Sequence, residues 1–182
     1  MLCLAGCVGP QDGQLVRVPP YVPGMVASAV PGAAPVIVAV QPFAELPAPA
    51  GHPSADADVV EHFVVTPSPG RLLHQAVTAV LRAAGEQIGG EGAPVAVEGA
   101  VQRFSVKASK AGLYWALEVD IAAAVTARRV GLAPSHSYVS RCQDVAYTVP
   151  GPASMAPLVT RCVANIARQF RDDARMARAI GG

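Results

Sequence analysis

The feature that most restricts the fold is the alternation between Leu113 and Ala127. Leu113, Trp115, Leu117, Val119, Ile121, Ala123 and Val125 alternate there with Tyr114, Glu118, Asp120 and Thr126. Successive side chains on a strand point to opposite faces, so this pattern predicts a long strand with one buried face. Val95 to Lys107 precedes it as a second strand, and Ser109 to Gly112 suits the turn of a hairpin between them. Ser135 to Thr148 reads as a further strand, joined through the turn around Gly131 and Pro134.

The period changes on either side of these strands. Leu72, Leu73, Ala76, Val77, Val80, Leu81 and Ala84 recur at helical spacing. Ser68-Pro69 is a good start for that helix, with the hydroxyl as cap and the proline in the first turn, and Gly85 is placed to end it. A last helix is predicted from the Ser154 cap to about Ala179, with Val159, Cys162, Val163, Ile166, Phe170 and Ala177 on its apolar side. Before the first helix, Val36 to Val40 is a short β-branched run between prolines and reads as a buried strand. Pro42 to Asp58 reads as a loop, and Val59 to Val65 as a short strand. The expected fold is therefore α+β: an antiparallel or mixed sheet of about four to five strands with two helices packed on one face.

The front of the chain is different in kind. Residues 8–35 carry Pro10, Pro19, Pro20, Pro23, Pro31 and Pro35 with several glycines, which disfavours helix and central strand and predicts a tether. Its apolar islands, Leu15 to Val18 and Tyr21 to Val30, are the parts suited to lie along the domain or a partner. Ahead of it, residues 1–7 end in Leu4-Ala5-Gly6-Cys7, which resembles the lipobox of bacterial lipoproteins. The resemblance implies lipidation at Cys7, with cleavage before it, and two or three acyl chains suffice for stable anchoring. A positively charged segment is missing ahead of the motif, so a working signal needs residues upstream of Met1. The expected organisation is a signal remnant at 1–7, a tether at 8–35 and one domain at 36–182.

From Pro69 to Ile180 the element order resembles the YajG-type family of outer-membrane lipoproteins, with a related arrangement in ABC-transport auxiliary lipoproteins. The segments that carry it are Arg71-Leu72-Leu73-His74-Gln75-Ala76-Val77 with Gly85, then Val95 to Val106, Tyr114 to Ala127 and the C-terminal helix. The resemblance implies an anchored docking domain on the periplasmic side of the outer membrane, with protein partners in an envelope assembly and no catalytic residues to carry over. Val8 after the cysteine fits outer-membrane sorting, since in enteric lipoproteins a residue other than Asp there favours that membrane.

Composition narrows the function classes. A net charge of +1 with 15% charged residues gives no field to recruit nucleic acid. The hydrophobic content of 52% is mostly Ala and Val, and no apolar run approaches the roughly 18 residues that span a bilayer. His52, His62, His74 and His136 are scattered without metal-ligand spacing, and neither a nucleophile elbow nor a phosphate-binding glycine motif occurs. No metal, cofactor or enzymatic activity is expected. The oxidising periplasm favours a disulfide between Cys142 and Cys162, the alternative being two buried thiols. Arg168, Arg171, Arg175 and Arg178 face away from the core side of the last helix, either as a partner-binding stripe or as a solvated face. A second role, shielding a lipid or other apolar ligand, predicts a pocket among Leu73, Val77, Trp115 and Phe170.

Overall fold

The computed structural model describes residues 14–23, 35–45 and 60–181. In chain order these form β1 (Gln14–Arg17), β2 (Ile37–Val40), β3 (Ala44–Glu45), β4 (Val60–Thr66), α1 (Pro69–Ala83), β5 (Gln87–Gly89), β6 (Val95–Ala111), β7 (Tyr114–Arg129), β8 (Ser135–Ala146), α2 (Pro152–Asp172) and α3 (Ala174–Gly181). The expected four to five strands and two helices are corrected to eight strands in one mixed sheet and three helices among the described residues. The sheet dominates and curls into a half-barrel.

β6, β7 and β8 form an antiparallel meander around which the rest is arranged. β7 keeps its inward parity from Trp115 through Ala127, as the alternation requires. β6 does not. Its register slips between Val101 and Arg103, so Val95, Val97 and Val101 face inward before the slip and Val106 and Ala108 after it. An inserted residue switches every later side chain to the other face and bends the strand, which lets a 17-residue strand follow a curled sheet. Gly112, at φ 63°, supplies the left-handed backbone that the turn into β7 needs.

The other edge of β6 is shared by short strands. β2 and β3 run parallel to its first half, β4 antiparallel to its end, and β1 pairs parallel with β4. β1 lies within the segment read as a tether, and its Val16 is fully buried. Phe43, between β2 and β3, lies over Gly99, where an added Cβ would collide with the ring. Glu45 accepts a bond from the Gly70 N–H at 2.9 Å, and Ser68 makes no side-chain cap, so α1 takes its N-terminal acceptor from β3 instead of from its own sequence.

All three helices contribute to one core with the inward row of the meander. α2 starts two residues before the Ser154 cap that the sequence predicts. Ser154 lies inside the first turn, where its hydroxyl accepts the Gly151 N–H at 3.1 Å and donates to the Gly151 carbonyl at 2.8 Å. Nor does one helix reach Ala179. The chain breaks at Asp173, which is extended at φ −76° and ψ 105°, and α3 follows.

Candidate docking surfaces

Among the described residues, β8 pairs only with β7 and forms an edge of the sheet. Unpaired edges invite strand addition, and here α2 reaches over this one. Arg161 donates to the Gln143 carbonyl at 2.9 Å, Gln169 donates to the Val139 carbonyl at 3.0 Å, and Asp144 takes the Val145 N–H at 2.9 Å. These bonds occupy edge groups that an incoming strand would need, so recognition by strand addition is disfavoured along β8.

A groove of about 740 Å³ lies along α2. Pro19 to Val22 continue from β1 along the helix, whose Ala153, Ala156 and Ala164 leave space between them. Thr160 spends its hydroxyl on the Ala156 carbonyl at 2.9 Å, and only it and Arg161 add polar groups to a lining otherwise built of Ala, Pro, Val and Tyr21. The groove is open to solvent and adhesive toward apolar surface.

A second, polar hollow of about 540 Å³ lies at the α2–α3 break, with His136, Tyr138, Gln169 and Asp173 on its wall. Tyr138 is buried, packs edge-on to Phe170 at 6.1 Å between ring centres, and donates its hydroxyl to Asp173 at 3.0 Å. Asp173 also accepts the Arg175 N–H at 2.8 Å, and His136 Nδ1 stands 3.8 Å away. Burial, then the bond and charge of Asp173, hold the Tyr138 phenol far above its ordinary range. Burial pushes the Asp173 carboxyl up, but the Arg175 N–H, the Tyr138 hydroxyl, the Met176 N–H and His136 outweigh it and leave it below the usual range. The hollow is a clasp that pins the start of α3 to β8. Its one sequence signal is an Asp placed two residues ahead of Arg175 inside an arginine-rich helix pattern, where it acts as a cap.

The outer face of the meander carries a charge lattice that the sequence reading did not assemble. Asp120 bonds Arg103 at 2.9 Å and Arg141 at 3.3 Å, while Glu118 meets Lys107 at 3.2 Å and Arg141 at 3.6 Å. The alternation between apolar and charged residues in β7 was the available signal, since charges at alternate positions of neighbouring strands come to lie side by side.

The expected disulfide is corrected. Cys142 and Cys162 are brought together in the core, but both are free thiols. Each has its own partners: Cys162 meets Ser140 Oγ at 3.2 Å and the Val119 and Ser140 carbonyls at 3.5 Å, and Cys142 accepts from Asn165 at 3.7 Å. Burial, then the neighbouring Cys142 thiol, pushes Cys162 up to about 12 against the opposing effect of Ser140, so it stays protonated as a small buried hydrophobe.

The four arginines read as a stripe are all exposed but belong to two helices, Arg168 and Arg171 on α2 and Arg175 and Arg178 on α3. Arg171 is engaged with Asp172 at 2.7 Å. His74 Nε2 lies 3.2 Å from the Val40 carbonyl, tying α1 to β2, and His62 is exposed on β4. Leu73, Val77, Trp115 and Phe170, the walls of the predicted ligand pocket, are all buried within one packed cluster. Cys7, His52, Asp56 and Asp58 lie outside the described residues. Among the described residues, no helix is long and apolar enough to cross a membrane.

The architecture has counterparts among solved structures. A Xanthomonas campestris protein of the DUF330 family superposes with a TM-score of 0.51 at 11% identity, over 86% of this chain and 92% of that one. A protein described as uncharacterized gives 0.52 at 10% identity, over 88% and 97%. A minor lipoprotein from Acinetobacter baumannii gives 0.46 at 11%, over 78% and 94%. At these identities the first two establish a shared fold and nothing further. No protein-family model and no curated protein matches the sequence, so the YajG-type assignment stays a resemblance.

Proposed function

We propose that this protein is an accessory lipoprotein of the bacterial envelope, acylated at Cys7, facing the periplasm from the outer membrane, and serving as a non-catalytic docking subunit of a larger assembly. The observation that carries the reading is Leu4-Ala5-Gly6-Cys7, set a short distance ahead of the first strand at Gln14. Support for docking comes from the groove along α2, which is lined almost entirely by apolar groups. Burial of Leu73, Val77, Trp115 and Phe170 together favours a scaffold over a ligand carrier.

The test is direct. Expressed with its upstream signal, the protein is expected to fractionate with outer membranes, to incorporate labelled palmitate, and to co-purify with envelope proteins. A Cys7→Ser variant that still takes up label and sediments with membranes overturns the reading.

A further inference from the structure

From the fold's direction, together with the anchor proposed above, we infer that one end of the sheet is a bilayer-contacting surface. That end consists of the β6–β7 turn and the β8–α2 connection, and it seats aliphatic and aromatic side chains in the headgroup layer.

Strand direction supplies the first argument. β6 runs toward its turn at Gly112, and β4 is antiparallel to it, with Val60 opposite Ser109. β1 is parallel to β4, with Gln14 opposite Phe63. The Gln14 end of β1 is therefore the end nearer the β6–β7 turn. Seven residue steps separate Cys7 from Gln14, a reach of at most about 25 Å. β8 ends beside the same turn, with Ala146 opposite Trp115.

The surface chemistry agrees. Leu113 is 94% exposed at the turn, and Tyr147 and Val149 are 81% and 68% exposed in the connection to α2. Tyr114 is also exposed, and Lys110 stands next to the turn on β6. Aromatic side chains with aliphatic tips and lysines are the composition that suits a bilayer interface. Exposed Val130 and Leu132 mark the opposite end of the meander, at the β7–β8 turn. Gln14 pairs opposite Phe63, level with Val106 and Val119, so that end lies about eleven residues of β7 away, roughly 36 Å at about 3.3 Å per residue and beyond the linker's reach. Only one apolar end can meet the membrane that holds the acyl chains.

This inference rests on acylation at Cys7, and the experiment separates the two. Trp115 is the only tryptophan of the chain and lies at this end, so it reports depth and orientation. Acylated protein is reconstituted in phosphatidylethanolamine–phosphatidylglycerol vesicles with and without brominated acyl chains. The expected result is loss of Trp115 fluorescence on bromination, relieved in a Leu113→Ser, Tyr147→Ser, Val149→Ser variant that stays vesicle-bound through its acyl chains. Vesicle-bound protein with unquenched Trp115, or a variant quenched as fully as the parent, overturns the inference while leaving the anchor intact. If Cys7 proves not to be acylated, the full chain is sedimented with the same vesicles. Loss of binding in the triple variant by roughly tenfold or more then supports the surface, and equal sedimentation overturns it. A variant that changes only the sedimentation coefficient of the free protein makes the patch a self-interface, which also overturns it.

Discussion

The β6–β8 meander and the short strands around it close the same core by different means. Each strand of the meander is 12 to 17 residues long, and within the meander strands consecutive in the chain pair with each other. β1, β2, β3 and β5 are two to four residues long, and the pairings of β1, β2 and β3 are parallel. Their positions depend on contacts from distant elements: Glu45 on Gly70, Glu86 on the Val36 N–H at 2.8 Å, and Phe43 on Gly99. Strands paired through local turns are specified by their own alternation, whereas short parallel strands are specified by whatever they lean on.

The largest test removes bulk from each region. Ile121 is fully buried in β7, and Ile121→Ala is expected to cost about 2–5 kcal/mol, read as a lower denaturant midpoint for the whole chain. Val16 is equally buried in β1, but Val16→Ala deletes less and is expected to cost about 1.5 kcal/mol. Native-state hydrogen exchange is expected to show opening of β1 ahead of the meander in the second variant. Equal midpoint shifts with uniform exchange would erase the distinction between the regions.

A smaller effect is expected where the regions touch. Gly99→Ala drives a methyl into the Phe43 ring, and the segment between β2 and β3 must shift, at a cost of about 1–3 kcal/mol. Phe43→Leu in the same background is expected to recover part of that loss. A double-mutant cycle that gives simple additivity would mean that the ring does not hold this segment in place.

The Tyr138 clasp comes next. Tyr138→Phe keeps the ring against Phe170 and loses the bond to Asp173, for about 1 kcal/mol, with faster exchange confined to α3. Because the folded Asp173 carboxyl lies below its unfolded range, its contribution is complete above about pH 4 and fades as pH falls through the lower folded value. Acid is therefore expected to loosen α3 in the parent more than in Tyr138→Phe. The same pH dependence in both would detach the clasp from the helix.

How much of this was legible follows from the same contrast. The meander was readable because alternation over β7 leaves one solution for each side chain, and α1 because its apolar spacing is helical throughout. β3 was hidden inside a predicted loop because two residues show no period. The odd-to-even switch in β6 looks like noise until the bulge after Val101 explains it. The Cys142–Cys162 proximity was legible and its chemistry was not, because burial beside Ser140 satisfies both sulfurs without a bond. At α1 the cap came from Glu45, outside the helix's own sequence, where no local signal points.

The smallest effect on stability is expected where neither region is involved. Arg168, Arg171, Arg175 and Arg178 are exposed, and among the described residues the one ion pair they make is that of Arg171 with its sequence neighbour Asp172. Pairing with Asp172 raises Arg171 above its ordinary range and lowers Asp172, but water screens an exposed pair of this kind and leaves it little weight in stability. Arg171 and Arg178 lie in the last turns of α2 and α3 and Arg175 in the first turn of α3; changing all four to Gln leaves the core untouched, so the melting temperature is expected to stay nearly constant. Binding is the sensitive readout. If the stripe serves a partner, the quadruple variant is expected to lose co-purifying proteins or anionic vesicles, with the loss steepest at low salt because exposed charges act over a Debye length. The break at Asp173 sharpens the experiment, since it divides the set into an α2 pair and an α3 pair that the Tyr138 clasp holds in place. A loss of binding from Arg175 and Arg178 alone, reproduced by Tyr138→Phe, would assign the contact to α3. Unchanged binding in every variant would leave the four as a solvated helix face, with docking left to the apolar groove beside Tyr21.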